Sequence, residues 1–252
     1  MTDLAAVLDA VDTWLMAAIF VFMRVAAAVA TLPAFGEMVV PARVKLGLAL
    51  AFTVVLVPLV PNSLTSQSPL ELFALAGSEI ANGLFWGLLL RCFIFALETA
   101  GAIAAQSMSL SQLFGGVSAD PLPAFGKLWV MGGLAFATIM GLHTQFAAYL
   151  LASYDIVPVG RLAATEDVLT LGLEQIGRCF ALAFSLAAPM MVASLLYNLT
   201  LGFINRAMPQ LMVSFVGAPA ITAGGLLLLL LTTPMVLGLW FDHILGFLEA
   251  TR

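Results

Sequence analysis

Charged residues are scarce in this chain. Only 9% of the 252 residues are Asp, Glu, Lys or Arg, whereas an ordinary soluble domain carries about 25%. Hydrophobic residues make up 62%. One soluble core cannot hide so large an apolar fraction, because the outer surface of that core must still face water. We therefore expect an integral membrane protein surrounded by lipid or by apolar partner subunits.

Residues that serve catalysis, metal binding and nucleic-acid binding are also few. The nine Lys and Arg residues are spread singly, which gives no basic patch for nucleic acid. Cys92 and Cys179 lie within or at the edge of apolar segments, so we interpret them as small core residues and not as a disulfide. His143 and His243 belong to no metal-ligand pattern, and no nucleophile elbow or phosphate loop occurs. We expect no enzyme activity, no catalytic residue, no metal and no cofactor.

What the chain does have is a series of long apolar runs. About 20 mostly apolar residues are enough to cross a bilayer as a helix, and four uncharged windows exceed that length. Two further runs are interrupted, the first by Arg24 and the third by Glu79, Arg91 and Glu98. The sequence therefore predicts an all-α membrane protein in which one domain over residues 1–252 has about six apolar helical segments: 14–35, 44–61, 72–105, 128–154, 178–204 and 211–248.

Prolines occur in or beside several of these runs. Each proline removes a backbone donor and kinks or ends its helix. Because an unpaired backbone group is costly in lipid, such breaks must be covered by neighbouring protein or line a water-filled cavity. This favours an assembled pore or transporter over a simple anchor, although any single proline could be a tolerated kink. The prolines are Pro33, Pro58, Pro189, Pro219 and Pro234.

Small residues also recur at helical spacing. Gly83 and Gly87 are separated by three residues, and this spacing lets two helix backbones approach closely in a membrane. We expect intimate helix packing there, within the chain or against another subunit.

Two cations suggest an orientation. Arg43 and Lys45 open the second segment, and the positive-inside rule then favours a cytoplasmic connection between the first two segments. The opposite side would hold residues 61–71, which carry no cation, and residues 153–177, in which four acidic residues outnumber the single cation Arg161.

Charges inside the apolar runs need partners. Arg24 lies in the middle of the first segment, so we expect it to face protein, water or a counter-ion. Arg91 and Glu98 are seven residues apart, which places them on one face of a helix two turns apart. Two interpretations stay open: a proton or ion relay, or a salt bridge that serves subunit assembly.

The stretch from Gln106 to Lys127 differs from its surroundings, being rich in glycine and serine. Paired glycines relax the backbone, and Met and Phe side chains give a deformable apolar tip that could obstruct a passage. The alternative is an ordinary connection outside the membrane. The candidate gate residues are Met108, Leu113, Phe114, Gly115 and Gly116.

Two blocks of sequence carry a resemblance to a known family. Residues 40–49 read V-P-A-R-V-K-L-G-L-A, and residues 198–217 read N-L-T-L-G-F-I-N-R-A-M-P-Q-L-M-V-S-F-V-G. Both blocks resemble motifs of the FliR/SctT export-gate family of type III secretion, in the family's order. The resemblance extends from about Trp14 to Trp240.

The resemblance implies a structural, channel-forming subunit of the flagellar protein export gate. Members of the family join FliP and FliQ in a spiral hetero-oligomer at the basal body in the bacterial inner membrane. They work with FlhB and FlhA, and unfolded flagellar subunits are the cargo.

The resemblance also implies roles for particular residues. The loop matching residues 110–120 would lie in the lumen and contribute to its plug. The family's Gly-Glu pair before that loop is Gly101-Ala102 here, so Glu98, one turn earlier, is the candidate substitute. The expected subunit-assembly or buried-charge residues are Arg24, Arg43, Lys45, Arg91, Glu98, Arg206, Pro209 and Gln210.

Two other functions fit the same sequence. A virulence-type injectisome uses an export-gate subunit of the same fold. A secondary transporter of small solutes could use Arg24, Arg91 and Glu98 as a site at the membrane midplane.

Overall fold

Seven α-helices make up most of the part of the chain that the structure describes. The computed structural model describes residues 2–60, 69–107, 124–208 and 213–251. A short 3-10 turn, Val57–Leu59, follows the second helix. The helices are α1 (Thr2–Thr31), α2 (Ala42–Leu56), α3 (Pro69–Ser107), α4 (Ala124–Ile139), α5 (Leu142–Ile156), α6 (Thr165–Ala207) and α7 (Val213–Ala250).

The prediction of an all-α membrane protein is confirmed. Five helical stretches are long and apolar enough to cross a bilayer, and α4 with α5 make a sixth if the two count as one broken span. No strand occurs within the described ranges. The packing of these helices in a spiral hetero-oligomer stays a prediction.

Two of the prolines lie where helices end. Helix α1 ends at Thr31, earlier than the predicted Phe35, because the residue before Pro33 is pushed away from helical backbone angles. Pro58 lies in the 3-10 turn that follows α2. Both positions agree with the expectation that proline kinks or ends its helix.

The later prolines do not end their helices. Pro189, Pro219 and Pro234 lie inside α6 and α7, which continue past them. Just before Pro234, the Thr232 and Thr233 hydroxyls donate to carbonyls one turn back, at 2.8 and 2.6 Å. Pro234 deprives the Leu230 carbonyl of its helical donor, so these hydroxyls add bonds in the turn before the proline and do not replace the missing one.

The predicted segment 128–154 is interrupted. Helix α4 ends at Ile139 and α5 begins at Leu142, and Gly141 between them has a φ of 83°. That left-handed backbone angle favours glycine, because a Cβ atom would be strained there. One long apolar run thus becomes two helices of about four turns each.

The chain divides into two compact units, each built from separate stretches of sequence. In unit one, Trp86 and Tyr149 pack edge to face with ring centres 5.5 Å apart. The Tyr149 hydroxyl donates to the Trp86 carbonyl at 3.2 Å, and Phe52 packs against Phe146 in the same way at 5.6 Å. Unit one comprises Met1–Cys92, Thr138–Gln175 and Gly246–Arg252.

Unit two comprises Phe93–Ala137 and Ile176–Leu245. The fully buried Trp240 donates from its indole nitrogen to the Phe93 carbonyl at 2.8 Å. A second buried indole, on Trp129, donates to the Thr233 hydroxyl at 3.0 Å. Both of these indole rings therefore have their one polar atom satisfied. A single family-type domain over residues 1–252 stays a prediction.

Candidate functional site

Arg24 is completely buried in unit one and has a buried counter-ion. Its Nε donates to Glu79 Oε2 at 2.7 Å, and its Nη2 donates to Glu79 Oε1 at 3.1 Å. Both side chains have no solvent exposure. Helix α1 supplies the cation and α3 supplies the carboxylate. The expectation that Arg24 faces protein or a counter-ion agrees with this contact.

The third guanidinium nitrogen reaches the end of α5. Arg24 Nη1 donates to the Val157 carbonyl at 3.0 Å, to the Ser153 carbonyl at 3.3 Å and to the Ser153 hydroxyl at 3.4 Å. The guanidinium carbon also lies 3.9 Å from the centre of the Tyr154 ring, within the range of a cation–π interaction. One arginine therefore joins three helices.

The segment after α5 is tied to α3 by two side chains. Glu79 Oε1 accepts a hydrogen bond from the Gly160 N–H at 2.8 Å. Asn82, one turn further along α3, donates to the Arg161 carbonyl at 2.7 Å and accepts from the Ala163 N–H at 3.2 Å. We call Arg24, Glu79, Asn82, Ser153 and Tyr154 the Arg24 cluster.

Glycines let α1 and α3 approach closely enough for the ion pair. A Cβ atom on Gly83 would collide with the Arg24 carbonyl, and one on Gly87 would collide with the Thr31 hydroxyl. The predicted small-residue spacing thus serves packing within this chain, between α1 and α3.

The chemistry of the Arg24 cluster is structural. Burying two charges is costly unless good geometry and further hydrogen bonds compensate, and both conditions hold here. Each guanidinium nitrogen already donates to a group of the same chain. Because every nitrogen is bonded and the side chain has no solvent exposure, Arg24 is not available to a solute. The cluster joins α1, α3 and the end of α5.

The other predicted cations of unit one surround the turn between α1 and α2, residues 32–41. Arg43 is exposed in the first turn of α2. Lys45 Nζ donates to the Gly36 carbonyl at 2.9 Å. Arg91 Nη1 lies 3.7 Å from Glu37 Oε1 and donates to the Thr31 carbonyl at 3.4 Å. Arg91 thus contributes to holding this turn.

Two predicted residues lie in unit two. Glu98 is half-buried on α3 and lines a cavity of about 130 Å³ together with Gly126, Lys127, Val130 and Met131. Arg206 is exposed in the last turn of α6, where a cation interacts favourably with the helix dipole.

Several predicted residues fall outside the part of the chain that the structure describes. They are the gate residues Met108, Leu113, Phe114, Gly115 and Gly116, and the motif residues Pro209 and Gln210. Their roles stay predictions.

Sequence reasoning missed four members of the cluster: Glu79, Asn82, Ser153 and Tyr154. Glu79 was visible as one of two carboxylates in the run 72–105, and a lone cation in the first run was the signal that could have paired it with Arg24. The other three gave no such signal, because a single polar residue in a helix is common. Only the positions of α5 and of the segment after it show their part.

Comparison with known proteins shows which family the chain belongs to. The sequence profile described as bacterial export proteins, family 1, matches residues 15–246. The chain belongs to that family. The matched range includes both motif blocks, and it also includes Arg24 and Glu79 of the cluster. It covers nearly the whole of both units.

Relatives of known name come from several bacteria. The flagellar biosynthetic protein FliR of Caulobacter vibrioides is 35% identical over 231 residues, covering 90% of this chain and 92% of that protein. FliR of Escherichia coli is 29% identical, covering 89% and 87%. FliR of Aquifex aeolicus is 27% identical, covering 94% and 93%. The resemblance to FliR proteins is confirmed.

Proposed function

We propose that this chain is a structural, channel-forming subunit of the flagellar type III protein export gate. Membership of the bacterial export family, together with relatives named as flagellar biosynthetic proteins, makes it a component of the flagellar export apparatus. This family is one of export components and is not a known enzyme family. The proposal adds the channel, the gate and its position in the inner membrane at the basal body.

The exposed apolar surface of the helices supports an assembled channel. In unit two, α6 carries a row of large apolar side chains that are more than half exposed, including Phe180, Phe184, Leu195, Leu199 and Phe203. Such an area is too large to face water and requires lipid or companion subunits. FliP and FliQ are the proposed companions, with FlhB and FlhA as further partners and unfolded flagellar subunits as cargo.

The proposed plug is the loop that contains Met108, Leu113, Phe114, Gly115 and Gly116. Its glycines permit movement, and its apolar side chains would exclude water when the channel is closed. The proposed assembly residues Arg43, Arg206, Pro209 and Gln210 lie in the two family motifs.

The transporter alternative loses support from Arg24. That site required Arg24 to be available to a solute, whereas its side chain is fully buried and bonds Glu79, Ser153 and Val157. The injectisome alternative is less well supported than the flagellar one, because the relatives named above are all flagellar proteins.

Co-purification combined with complementation tests the proposal. An affinity-tagged chain should co-purify with FliP-like and FliQ-like subunits from its own cell, and its deletion should abolish motility and flagellar secretion. A matched strain that carries the untagged gene on a plasmid should restore both. Solute uptake by the purified chain alone in liposomes, without such partners, would refute the gate role.

A further inference from the structure

The turn between α1 and α2 projects two apolar side chains into the surroundings. Met38 is 98% exposed and Val39 is 93% exposed. Among the other described large hydrophobic residues, the next most exposed is Ile139, at 82%. We call Met38 and Val39 the α1–α2 tip. Apolar side chains held this far from the core contribute nothing to the packing of unit one.

The tip is presented on an anchored turn. Below it, the Gly36 N–H donates to the Leu32 carbonyl at 2.7 Å, and Lys45 holds the Gly36 carbonyl at 2.9 Å. Beside it, Glu37 faces Arg91, and the Val40 N–H donates to the Glu37 carbonyl at 3.1 Å. Because the turn is already ordered, binding through the tip would lose little conformational entropy.

Positive charge surrounds the tip. Arg43, Lys45 and Arg91 contribute three cations, against the single carboxylate of Glu37. Lys45 and Arg91 hold the turn, whereas Arg43 is exposed and makes no ion pair within the described residues. Its guanidinium is suited to bind a phosphate oxygen in two-pronged geometry.

An apolar stripe continues from this charged boundary along α2. Leu46, Leu50 and Val54 are spaced four residues apart, and each is at least 50% exposed. The bond from Lys45 to Gly36 brings the turn back to the first turn of α2, where Arg43 also lies. The apolar stripe on α2 is therefore followed by the exposed cation Arg43, and the α1–α2 tip lies beside that cation.

This order matches the layers of an anionic membrane leaflet. We propose that Met38 and Val39 insert at the boundary between the headgroups and acyl chains, while Arg43 binds the phosphate of an anionic lipid. Acidic leaflets attract basic segments next to a membrane span. Protein hot spots are enriched in Trp and Tyr as well as Arg, and the tip contains no aromatic residue. The proposal does not depend on the channel role, and it assigns Arg43 to lipid in place of subunit assembly.

Fluorescence quenching in lipid nanodiscs tests this contact. The full-length chain, with Cys92 and Cys179 changed to alanine, receives Val39→Cys labelled with an environment-sensitive nitrobenzoxadiazole dye. Nanodiscs contain either phosphatidylcholine alone or an equal mixture with phosphatidylglycerol. Spin-labelled forms of each lipid serve as quenchers, and aqueous iodide reports exposure to water. The same measurement is repeated on the chain purified with its partner subunits.

We expect spin-labelled phosphatidylglycerol to quench the dye more strongly than spin-labelled phosphatidylcholine. Arg43→Gln should lower that preference about fivefold, which corresponds to the attraction of one cation to an anionic leaflet. Ile139→Cys provides the matched control, because Ile139 is the exposed last residue of α4 and no Lys or Arg lies between residues 128 and 160. A dye at Ile139 should show no preference between the two lipids.

Three outcomes would overturn the lipid contact. Equal quenching by both lipids at residue 39 would remove the anionic preference. Strong quenching by iodide in both kinds of nanodisc would place the tip in water. Protection from both iodide and spin-labelled lipid would mean that protein covers the tip.

Discussion

Arg24 and Glu79 meet through two parallel hydrogen bonds in a place that water does not reach. Each residue is the charge that makes the burial of the other tolerable. Breaking such a pair from one side leaves an uncompensated buried charge, which costs about 3–5 kcal/mol, whereas replacing both partners with apolar residues can be nearly neutral. The asymmetry between single and double substitutions is therefore the sharpest test of this contact.

We expect Arg24→Met and Glu79→Leu to destabilise the chain strongly as single changes. The double variant should be more stable than either, because no lone charge stays buried. Its recovery should be partial, since the Val157 carbonyl and the Gly160 N–H also lose their partners. The measurement is thermal unfolding of the detergent-purified parent, single and double variants, monitored by size-exclusion chromatography. Together the four proteins form a double-mutant cycle. Additive losses in the double variant would contradict a direct pair.

Asn82→Ala should loosen the segment after α5. The change removes the donor to the Arg161 carbonyl and the acceptor for the Ala163 N–H, at a cost of about 1–3 kcal/mol for the unsatisfied groups. Trypsin should then cut after Arg161 faster than in the parent chain, as measured by gel and mass spectrometry.

Ser78→Ala is the control for Asn82→Ala. Ser78 lies one turn earlier on α3 and bonds only the Leu75 carbonyl of its own helix, at 2.8 Å. Its removal should leave cleavage after Arg161 unchanged. If the two variants are cut at the same rate, Asn82 does not hold the segment.

Gly83→Ala should disturb the packing of α1 on α3. The added methyl group would collide with the Arg24 carbonyl. This carbonyl belongs to the backbone of α1, which cannot move aside as a flexible side chain can. We expect a lower unfolding temperature, because overpacking of this kind typically costs about 1–3 kcal/mol.

Gly77→Ala on the same helix is the matched control, since nothing lies within 4 Å of its added Cβ atom. It should be neutral or stabilising, because alanine favours a helix by about 1 kcal/mol over glycine. Equal losses in the two glycine variants would show that close approach is not the cause.

Deletion of residues 115–119 tests the proposed plug. We expect the gate to assemble with its partners but to leak small ions when closed, because the apolar loop would no longer exclude water. Conductance of the purified complex in planar bilayers measures the leak, and co-purification measures assembly. A deletion that prevents assembly while conductance through the remaining complexes is unaltered would exclude a plug in this loop.

Composition and charge spacing were enough to predict the membrane class, the helical fold and the need of Arg24 for a partner. They could not predict that partner. These helices are apolar on nearly every side, so the pattern of side chains does not indicate which face of α1 meets which face of α3. The pairing depends on helix rotation and register, and these follow from close contacts such as that at Gly83.

Two local features also escaped prediction. The break at Gly141 lies in an uncharged run, and a lone glycine in such a run is usually tolerated within a helix. Residues 165–177 look like part of a charged connection, yet α6 begins at Thr165. Glu166 and Asp167 fall in its first turn, where carboxylates interact favourably with the helix dipole. The acids that suggested a loop thus stabilise the start of a helix.

The Arg24 cluster also has a consequence for synthesis of the protein. Arg24 and Val157 are separated by 133 positions in the chain, so α1 leaves the ribosome long before the end of α5 exists. During that interval the first helix carries a cation whose final neighbours have not yet been translated. Until α3 delivers Glu79 and α5 follows, the insertion machinery or a chaperone must shelter this charge, and a nascent chain stalled before α3 should be a preferred substrate for membrane proteases.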